Sequence, residues 1–466
     1  MSATPDRARR PATGASRLTS PPVFERLELP EGLELYLAPR AAVPLVELEL
    51  LLTDAGGEKN PSDRPGLARL AAALLDEGTM RRSGPELVAD LERRGGSLGS
   101  SSDWSSGSLR LSLPSAELEF GLELLRELIL EPSFPPRELE RIRRQSLAEL
   151  ARRFEQPAVL AEEAFAKRLY EGTVQGELLI GTPSSLTDLT RDEIVSFHAR
   201  HQKRIGARLV LAGDLPPRGQ GRGVERLLGE LAFSRPARPV AVSPVALEHV
   251  AVVVVDLTEA AQTELRVGHL GVPRRHPDRT ALGFLNALFG GKFTSRINLN
   301  LRERLGITYG IHSRFVDRRS AGPFVIAGAI ANHAVGLAVR EILDELRRLR
   351  DERVSSSELE ETRSYLLGVF PYGLQTVEGI AAKLRDIALH ELPLDHATRV
   401  LEEYQEISAD ELLRVARQHL STDRCVIVAA GPGDDLARQL DGIGALEVRT
   451  PRPDGERNRK GLKVFA

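Results

Sequence analysis

The sequence predicts an α+β protein made of two similar domains, each a largely antiparallel sheet with helices packed on one face. Each half of the chain gives two strands, helices, two further strands, more helices and a last strand. The last strand of each half ends at Gly213 or Gly431, which lie 218 residues apart, and apolar helices begin near Gly66 and Thr280. A shift of this length indicates a duplicated domain rather than a solenoid of short repeats.

Local patterns place the elements of the first half. Val46, Leu48 and Leu50 alternate with glutamates, as in a strand with one buried face. The apolar helix after Gly66 ends at Gly78, because glycine is typical of helix ends. The predicted strands are 35–38, 44–52, 97–113 (a hairpin) and 208–212, and the predicted helices are 67–75, 84–94, 117–130, 136–166 and 190–201.

The second half repeats this order of elements. The predicted strands are 252–257, 264–270, 307–315, 323–330 and 425–430, and the predicted helices are 281–289, 333–349, 357–370 and 408–420. The patterns predict a first domain over 25–232 and a second over 248–440, joined by a proline-containing extended linker over 233–247. Residues 1–24 are expected to form a disordered arm and residues 441–466 a loose basic tail.

Composition excludes several functional classes. The 63 basic and 66 acidic residues give a net charge of −3, which argues against a broadly basic nucleic-acid binder. The only cysteine is Cys425, so neither a disulfide framework nor a cysteine metal site is expected. No apolar run is long enough to span a bilayer, and the first 20 residues do not form a secretory signal. A cytoplasmic location is therefore predicted.

One segment resembles a known metal-binding helix. GLARLAAALLDEGT (Gly66–Thr79) is similar to the zinc-helix segment of the M16 (pitrilysin/insulinase) metallopeptidase family, which holds His-x-x-Glu-His in a GLAHxxEHxxFxGT-like frame. Further matches are IGTPSSLTDLTRDEIVSFHARH, VLAGDL and FGGKFTSRINLNLRERLGITYG, so the resemblance covers about residues 25–440. It implies a LuxS/MPP-like metallohydrolase fold for both domains.

The zinc motif itself is replaced. Arg69, Ala72 and Ala73 stand where the family has His, Glu and His, and Glu149 stands at the place of the third ligand. A catalytic zinc usually needs three protein ligands and a base for its water, and a permanently charged guanidinium cannot ligate. The sequence therefore predicts no zinc in this pocket. Glu149 is either a plain helix-face acid or a partner for Arg69 across the former metal pocket.

No replacement for the zinc motif is evident elsewhere in the sequence. Neither His-Glu-x-x-His nor His-x-x-Glu-His occurs among the ten histidines. His198 and His201 are three residues apart on a predicted helix, a spacing that zinc tolerates, but no third ligand accompanies them. They are interpreted as two surface histidines.

The second half contains a pair that the family uses for substrate. Many M16 second halves contribute an Arg and a Tyr seven residues apart, and Arg302 and Tyr309 match this spacing in LRERLGITYG. We expect Gly306 to end the helix of Arg302 in a left-handed conformation, with Tyr309 on the following strand and close to Arg302. A guanidinium and a phenol are donors suited to a peptide carbonyl or a developing oxyanion. The resemblance also implies that the glycine pair Gly290–Gly291 borders the substrate chamber.

The resemblance implies a peptidase subunit that is not catalytic alone. In some bacterial members the two halves of the clamshell are separate chains, one with the zinc and its base and the other with the Arg/Tyr pair. This sequence matches the second kind. We expect a substrate-binding subunit for unfolded peptides, with no cofactor of its own and with zinc held by a partner M16 chain that has His-x-x-Glu-His.

Two other functions stay open at this point. The first is a non-enzymatic scaffold or assembly protein that has kept the fold and lost proteolysis, as in some respiratory-complex core subunits of this superfamily. The second is an active peptidase with a relocated metal, for which the sequence offers no ligands. Retention of Arg302 and Tyr309 favours the peptidase subunit, because a scaffold has no use for them.

Overall fold

The computed structural model describes residues 20–28, 33–202, 206–216, 243–451 and 457–458. The strands of the first half are β1 (Glu25–Glu28), β2 (Glu34–Pro39), β3 (Leu45–Leu52), β4 (Ser97–Ser102), β5 (Gly107–Pro114) and β6 (Ala207–Gly213). Those of the second half are β7 (Ala251–Asp256), β8 (Thr263–Leu270), β9 (Ile311–Phe315), β10 (Pro323–Ile330), β11 (Val426–Gly431), β12 (Ala445–Thr450) and β13 (Arg457–Asn458).

The two sheets have the same topology, which confirms the duplicated α+β fold. The first sheet has the order β1-β2-β6-β3-β5-β4, and the second has the order β13-β12-β7-β11-β8-β10-β9. The order β2-β6-β3-β5-β4 thus corresponds strand by strand to β7-β11-β8-β10-β9. Most neighbouring strands are antiparallel, but β2 is parallel to β6, and β7 is parallel to both β11 and β12.

Helices cover these sheets. In the first half they are α1 (Leu67–Ala73), α2 (Gly84–Arg93), α3 (Leu118–Leu130), α4 (Pro136–Arg152), α5 (Pro157–Leu169), α6 (Pro183–Asp188) and α7 (Arg191–Phe197). In the second half they are α8 (Arg279–Asn286), α9 (Arg296–Asn298), α10 (Val335–Asp351), α11 (Ser356–Val369), α12 (Val377–His390), α13 (His396–Glu406), α14 (Ala409–His419) and α15 (Gly433–Leu440). Among the described residues, no helix is both long and apolar enough to cross a membrane.

The single helix predicted over 136–166 is wrong, because the structure has two helices there. Gln156 adopts an extended conformation with φ −123° and ψ 90°, and Pro157 begins α5. A residue before proline is biased away from helical backbone, and proline has no N–H to continue the preceding ladder. The break lets α5 leave the direction of α4 and reach the second sheet.

The predicted C-terminal boundary at residue 440 is also wrong. Residues 445–450 form β12, which pairs in parallel with β7 and extends the second sheet. Leu446 and Val448 are shielded on alternate positions, a period-two pattern that the surrounding charged residues obscure. At the other end, Phe24 is 5% exposed, so packing begins before residue 25. Most of the predicted linker lies outside the described residues, as do residues 1–19 of the predicted arm.

Each half supplies a helix to the sheet of the other half. Helix α5 packs on β7, β8 and β11, and helix α12 packs on the equivalent strands β2, β3 and β6. The start of α12 lies 220 residues after that of α5, close to the shift seen in the sequence. Each contact forms a separate apolar cluster, one around Leu384 and Val210 and the other around Phe165 and Val428. The second face of each sheet is therefore covered by the opposite half.

The exchanged helices predict that the two halves unfold together. Leu384 is fully buried in this contact, so Leu384→Ala is expected to lower the free energy of unfolding by about 2–5 kcal/mol. Urea unfolding followed by fluorescence of Trp104, the only tryptophan, and by circular dichroism should give one coincident transition. Leu299→Ala is the matched control, since Leu299 is 50% exposed. Separate transitions for the two probes would contradict interdependence of the halves.

A buried carboxylate lies where the halves meet. Glu58 is 7% exposed, and neither of its oxygens has a hydrogen-bond partner within the described ranges. Arg319 approaches from the second half and donates to the Thr53 carbonyl at 2.8 Å. Burial, offset only in part by Lys59 and Arg319, raises the pKa of Glu58 to about 7. The folded protein therefore holds a proton that the unfolded chain releases near the ordinary pKa of 4.5.

This proton predicts a pH-dependent stability. Between pH 4.5 and about 7 the folded state binds more protons than the unfolded state, so the Glu58 contribution to stability falls as pH rises. Glu58→Gln should remove this pH-dependent loss, so its stability relative to the wild type should rise by about 3 kcal/mol between pH 4.5 and pH 8. Urea unfolding at several pH values measures it, with the exposed Glu402→Gln as control. Equal pH profiles for wild type and Glu58→Gln would refute the assignment.

Candidate functional site

Helix α1, which contains positions 69, 72 and 73, begins where Gly66 packs against Gly181. Gly66 caps α1 with a left-handed φ of 92°, and a Cβ there would lie 2.7 Å from the Ile180 carbonyl oxygen. Gly181 faces it with φ 96°. Both positions thus require glycine, for conformation and for space. This close approach sets where the first turn of α1, with Arg69, opens into the cavity beside α4.

Arg69 and Glu149 pair across this cavity, as one of the two sequence interpretations expected. Arg69 Nη2 lies 3.0 Å from Glu149 Oε2 and 3.3 Å from Glu149 Oε1. The two side chains are 40% and 52% exposed, so their attraction is screened by water and contributes little to stability. The pair matters for metal binding rather than for stability, because the Glu149 carboxylate, at the third-ligand position, already binds the permanently charged Arg69.

The other two motif positions offer no ligand. Ala72 is 1% exposed, and its carbonyl accepts a hydrogen bond of 2.6 Å from Ser100 Oγ on β4. Ala73 lines the cavity, whose volume is about 290 Å³. Within the described residues, the acids of this cavity do not bring three ligand atoms close enough to share one ion. The residues present therefore do not fit a catalytic zinc ion.

Asp76 is a cavity residue that sequence inspection missed. It lies beside Arg69 and Glu149 in the cavity lining, and burial raises its pKa to about 6. A raised carboxyl pKa in a cleft is often a sign of a functional acid. Because Arg69, Ala72 and Ala73 supply no zinc ligand, this acid has no zinc-bound water beside it to activate. Asp76 lies four residues after Ala72 and belongs to no recognisable sequence motif, so the sequence alone does not identify it.

The second candidate site surrounds Arg302, in the helical segment Leu299–Arg304. Gly306 has the expected left-handed φ of 63°, but β9 begins only at Ile311. Tyr309 therefore lies in the preceding loop, and the prediction that it sits on the strand is wrong. The buried amide of Asn298 explains the late start, since it donates to the Ile311 carbonyl at 2.7 Å and accepts from Ile311 N–H at 3.1 Å.

Within the described residues, Arg302 and Tyr309 share no hydrogen bond or cation–π contact. The Arg302 guanidinium stacks 3.5 Å from the ring centroid of Phe293 and donates from Nε to Glu303 Oε1 at 2.9 Å. The Tyr309 side chain is 91% exposed and makes no hydrogen bond within the part of the chain that the structure describes. Phe293, 71% exposed, is thus the residue that orients Arg302. The glycine pair Gly290–Gly291 directly precedes this segment.

The two helix histidines also differ from the expected surface pair. His198 is 5% exposed and packs edge-on against Phe134 at 5.3 Å between ring centroids, while its Nδ1 lies 2.9 Å from Gln202 Oε1. His201 Nδ1 lies 3.1 Å from Asp54 Oδ2. The two rings are held by different neighbours, and among the described residues they do not belong to a metal-ligating group.

A duplicated α+β fold with a degenerate metal helix defines a class of zinc-peptidase relatives. Residues 48–182 match the profile described as insulinase (peptidase family M16), and residues 188–366 match the peptidase M16 inactive domain. The chain belongs to the peptidase M16 family.

Individual relatives agree with this membership. An uncharacterized zinc protease of Rickettsia felis is 22% identical over 393 residues, which is 82% of this chain and 92% of that protein. Another, from Mycobacterium tuberculosis, is 22% identical over 426 residues, 91% of this chain and 96% of the relative. The crystal structure of a peptidase M16 inactive domain from Pseudomonas fluorescens superposes with a TM-score of 0.81 at 24% identity, covering 88% of this chain and 98% of that one. A Helicobacter pylori protease has a TM-score of 0.77 at 18% identity, with coverages of 88% and 99%.

Restoring the motif tests the geometry of the cavity. The triple variant Arg69→His, Ala72→Glu and Ala73→His is expected to bind one more zinc ion per chain than the unsubstituted protein, with Glu149 as third ligand. Adding Glu149→Gln to the triple variant should weaken this extra site at least about tenfold. Zinc titration after removal of metal by a chelator measures both. Extra zinc that does not depend on Glu149 would show that α1 and α4 no longer frame a metal site.

Proposed function

We propose that this chain is the non-catalytic, substrate-binding subunit of a heterodimeric M16 zinc peptidase that acts on unfolded peptides. The observation that carries the proposal is the Arg69–Glu149 pair, which occupies the ligand positions with groups unable to hold zinc. The zinc and its base then belong to a partner M16 chain with His-x-x-Glu-His. The zinc-protease names of the relatives support a peptidase setting for the fold.

Exposed sheet edges support peptide binding. Among the described residues, β4 pairs only with β5 and β9 pairs only with β10, so each is the edge strand of its sheet. The edge of β9 is partly occupied, because the Asn298 amide bonds the main chain of Ile311, which makes β4 the better place for a further strand. An extended peptide can add to such an edge through main-chain hydrogen bonds, which demand little of its sequence. Unfolded peptides offer this extended backbone, whereas folded proteins rarely do. The substrate class therefore follows from the backbone chemistry of the edge.

Side chains near β9, the edge strand of the second sheet, supply additional contacts. Phe293, Leu299 and Tyr309 are 71%, 50% and 91% exposed, respectively. A bound peptide would cover these large side chains and remove their apolar surface from water. The Tyr309 hydroxyl is available as a donor to a peptide carbonyl. The Arg302 guanidinium is held by Phe293 and Glu303, so its orientation is fixed before substrate arrives.

Substitution of Tyr309 tests the proposal. Tyr309→Phe removes one donor and keeps the ring, so the fold should be unaffected. Peptide cleavage by the complex with the zinc-bearing partner should slow by about 10²–10³ if the hydroxyl acts on the transition state. It should slow by about tenfold or less if the hydroxyl contacts a ground-state carbonyl, as expected for an ordinary hydrogen bond. Arg302→Ala should cost at least as much, because charge-assisted bonds are stronger.

The matched control is Tyr372→Phe, the same change at a tyrosine that is 69% exposed on α11's C-terminal extension. Cleavage of a fluorogenic unstructured peptide gives kcat/KM, and size-exclusion chromatography reports whether the complex forms. Unchanged rates for Tyr309→Phe and Arg302→Ala in an intact complex would remove the substrate-binding role and favour the scaffold. Loss of the complex would instead assign these residues to the subunit interface.

A further inference from the structure

A group of three metal-ligating side chains lies outside both candidate sites. His276 and Asp278 precede α8, and His419 is the last residue of α14. One ligand atom from each of the three lies within 4.8 Å of the others. The two imidazole rings meet edge to face, with centroids 5.0 Å apart and an angle of 83°. His419 and Asp278 are 141 residues apart in the chain, so the group does not correspond to a metal-binding sequence motif.

We propose that His276, Asp278 and His419 bind one divalent transition-metal ion, with zinc as the best match. Two imidazoles and one carboxylate are the ligand types that zinc takes in proteins, and solvent can supply a fourth ligand. Harder ions such as magnesium prefer an all-oxygen shell, which this group cannot provide. This proposal departs from the sequence-based expectation that the chain has no metal cofactor. It does not involve the Arg69–Glu149 cavity.

The observed distances bracket those of a tetrahedral site. Zinc–ligand distances of about 2.0–2.1 Å place neighbouring donor atoms about 3.3 Å apart. His419 Nε2 lies 2.6 Å from Asp278 Oδ2, and His276 Nδ1 lies 4.0 Å from the same oxygen. One distance must therefore open and the other close by about 0.7 Å, which small side-chain rotations provide. His276 is 29% exposed, so its ring has room for this movement.

Two existing hydrogen bonds of the group are broken when the ion binds. The Asp278 backbone N–H lies 3.1 Å from His276 Nδ1, so a metal on Nδ1 displaces that contact. The His419–Asp278 hydrogen bond is likewise replaced, because the ion takes the position of the shared proton. Both losses lower the affinity compared with a site whose ligands are free.

Arg414 orients the carboxylate ligand. Its Nη2 lies 2.6 Å from Asp278 Oδ1 and its Nη1 lies 3.4 Å from Oδ2, so the shorter bond fixes the carboxylate while Oδ2 faces the two imidazoles. Ligating carboxylates in proteins are commonly held by such outer hydrogen bonds. The positive charge of Arg414 would oppose a cation, but Glu411 Oε2 lies 2.9 Å from Arg414 Nε and offsets it. Asp278, Arg414 and Glu411 together with neutral imidazoles leave one net negative charge for the ion.

The place of the group suggests what the ion does. It would join the start of α8 to the end of α14, two helices that already pack together. Helix α8 leads through Ala287–Gly291 to the segment that contains Phe293 and Arg302. A metal cross-link at the start of α8 would therefore brace the element that positions the candidate substrate site. The role inferred is structural, because the ion would join two helices that pack together.

Cobalt titration of the full-length chain tests the proposal. After chelator treatment, the wild type should bind one Co²⁺ per chain with visible ligand-field absorption, and Zn²⁺ should displace it. His276→Ala and His419→Ala should each weaken binding at least about tenfold, since loss of a ligand costs no less than loss of an outer-shell partner. His333→Ala, at an exposed histidine, and Glu149→Gln, in the other cavity, should leave binding unchanged.

Thermal unfolding gives a second measurement of metal binding. It needs only the wild type, Glu149→Gln and His276→Ala, so it remains valid if His419→Ala fails to fold. Added Zn²⁺ should raise the Tm of the wild type and of Glu149→Gln, because a ligand that binds only the folded state stabilises it. It should leave the Tm of His276→Ala unchanged. Absence of saturable Co²⁺ binding by the wild type would overturn the proposal. So would binding that survives both histidine substitutions or that is lost in Glu149→Gln.

Discussion

The exchange of α5 and α12 between the two sheets is the contact on which the rest of the structure depends. The central strands β6 and β11 are buried along their whole length, so each sheet presents apolar side chains on both faces. Helices of the same half cover one face, and the exchanged helix covers the other. A fully buried leucine or isoleucine contributes about 1.5–3 kcal/mol, so neither sheet can lose its borrowed helix cheaply. This interlock fixes the two candidate sites relative to each other.

The cavity around Arg69 and Glu149 has a defined geometry but no set of zinc ligands. Helix α1 still begins at a left-handed glycine packed against Ile180, and α4 still brings Glu149 opposite position 69. Across the cavity, a guanidinium at position 69 is paired with the carboxylate of Glu149. Because the pair is half exposed, its contribution to stability is small.

In the second candidate site, sequence patterns predicted the end of the helix but not the arrangement of the side chains. Gly306 took the left-handed conformation that its place after a helix required. Tyr309, however, stays in the loop, because the Asn298 amide holds Ile311 as the first strand residue. Arg302 turns to Phe293, a cation–π contact between residues nine apart that no periodicity reveals. The outcome in each case was set by a side-chain contact across a turn.

The sequence by itself determined the duplicated order of strands and helices, the family frame and the absence of zinc ligands at positions 69, 72 and 73. These follow from periodicity, glycine placement and residue chemistry, which are local properties. Only the tertiary structure decided that Pro157 starts a helix serving the other half, that β12 extends the second sheet, and that His276 and His419 meet at Asp278. Those features join residues far apart in the chain, and such pairings are fixed by burial of apolar surface and close packing rather than by local pattern.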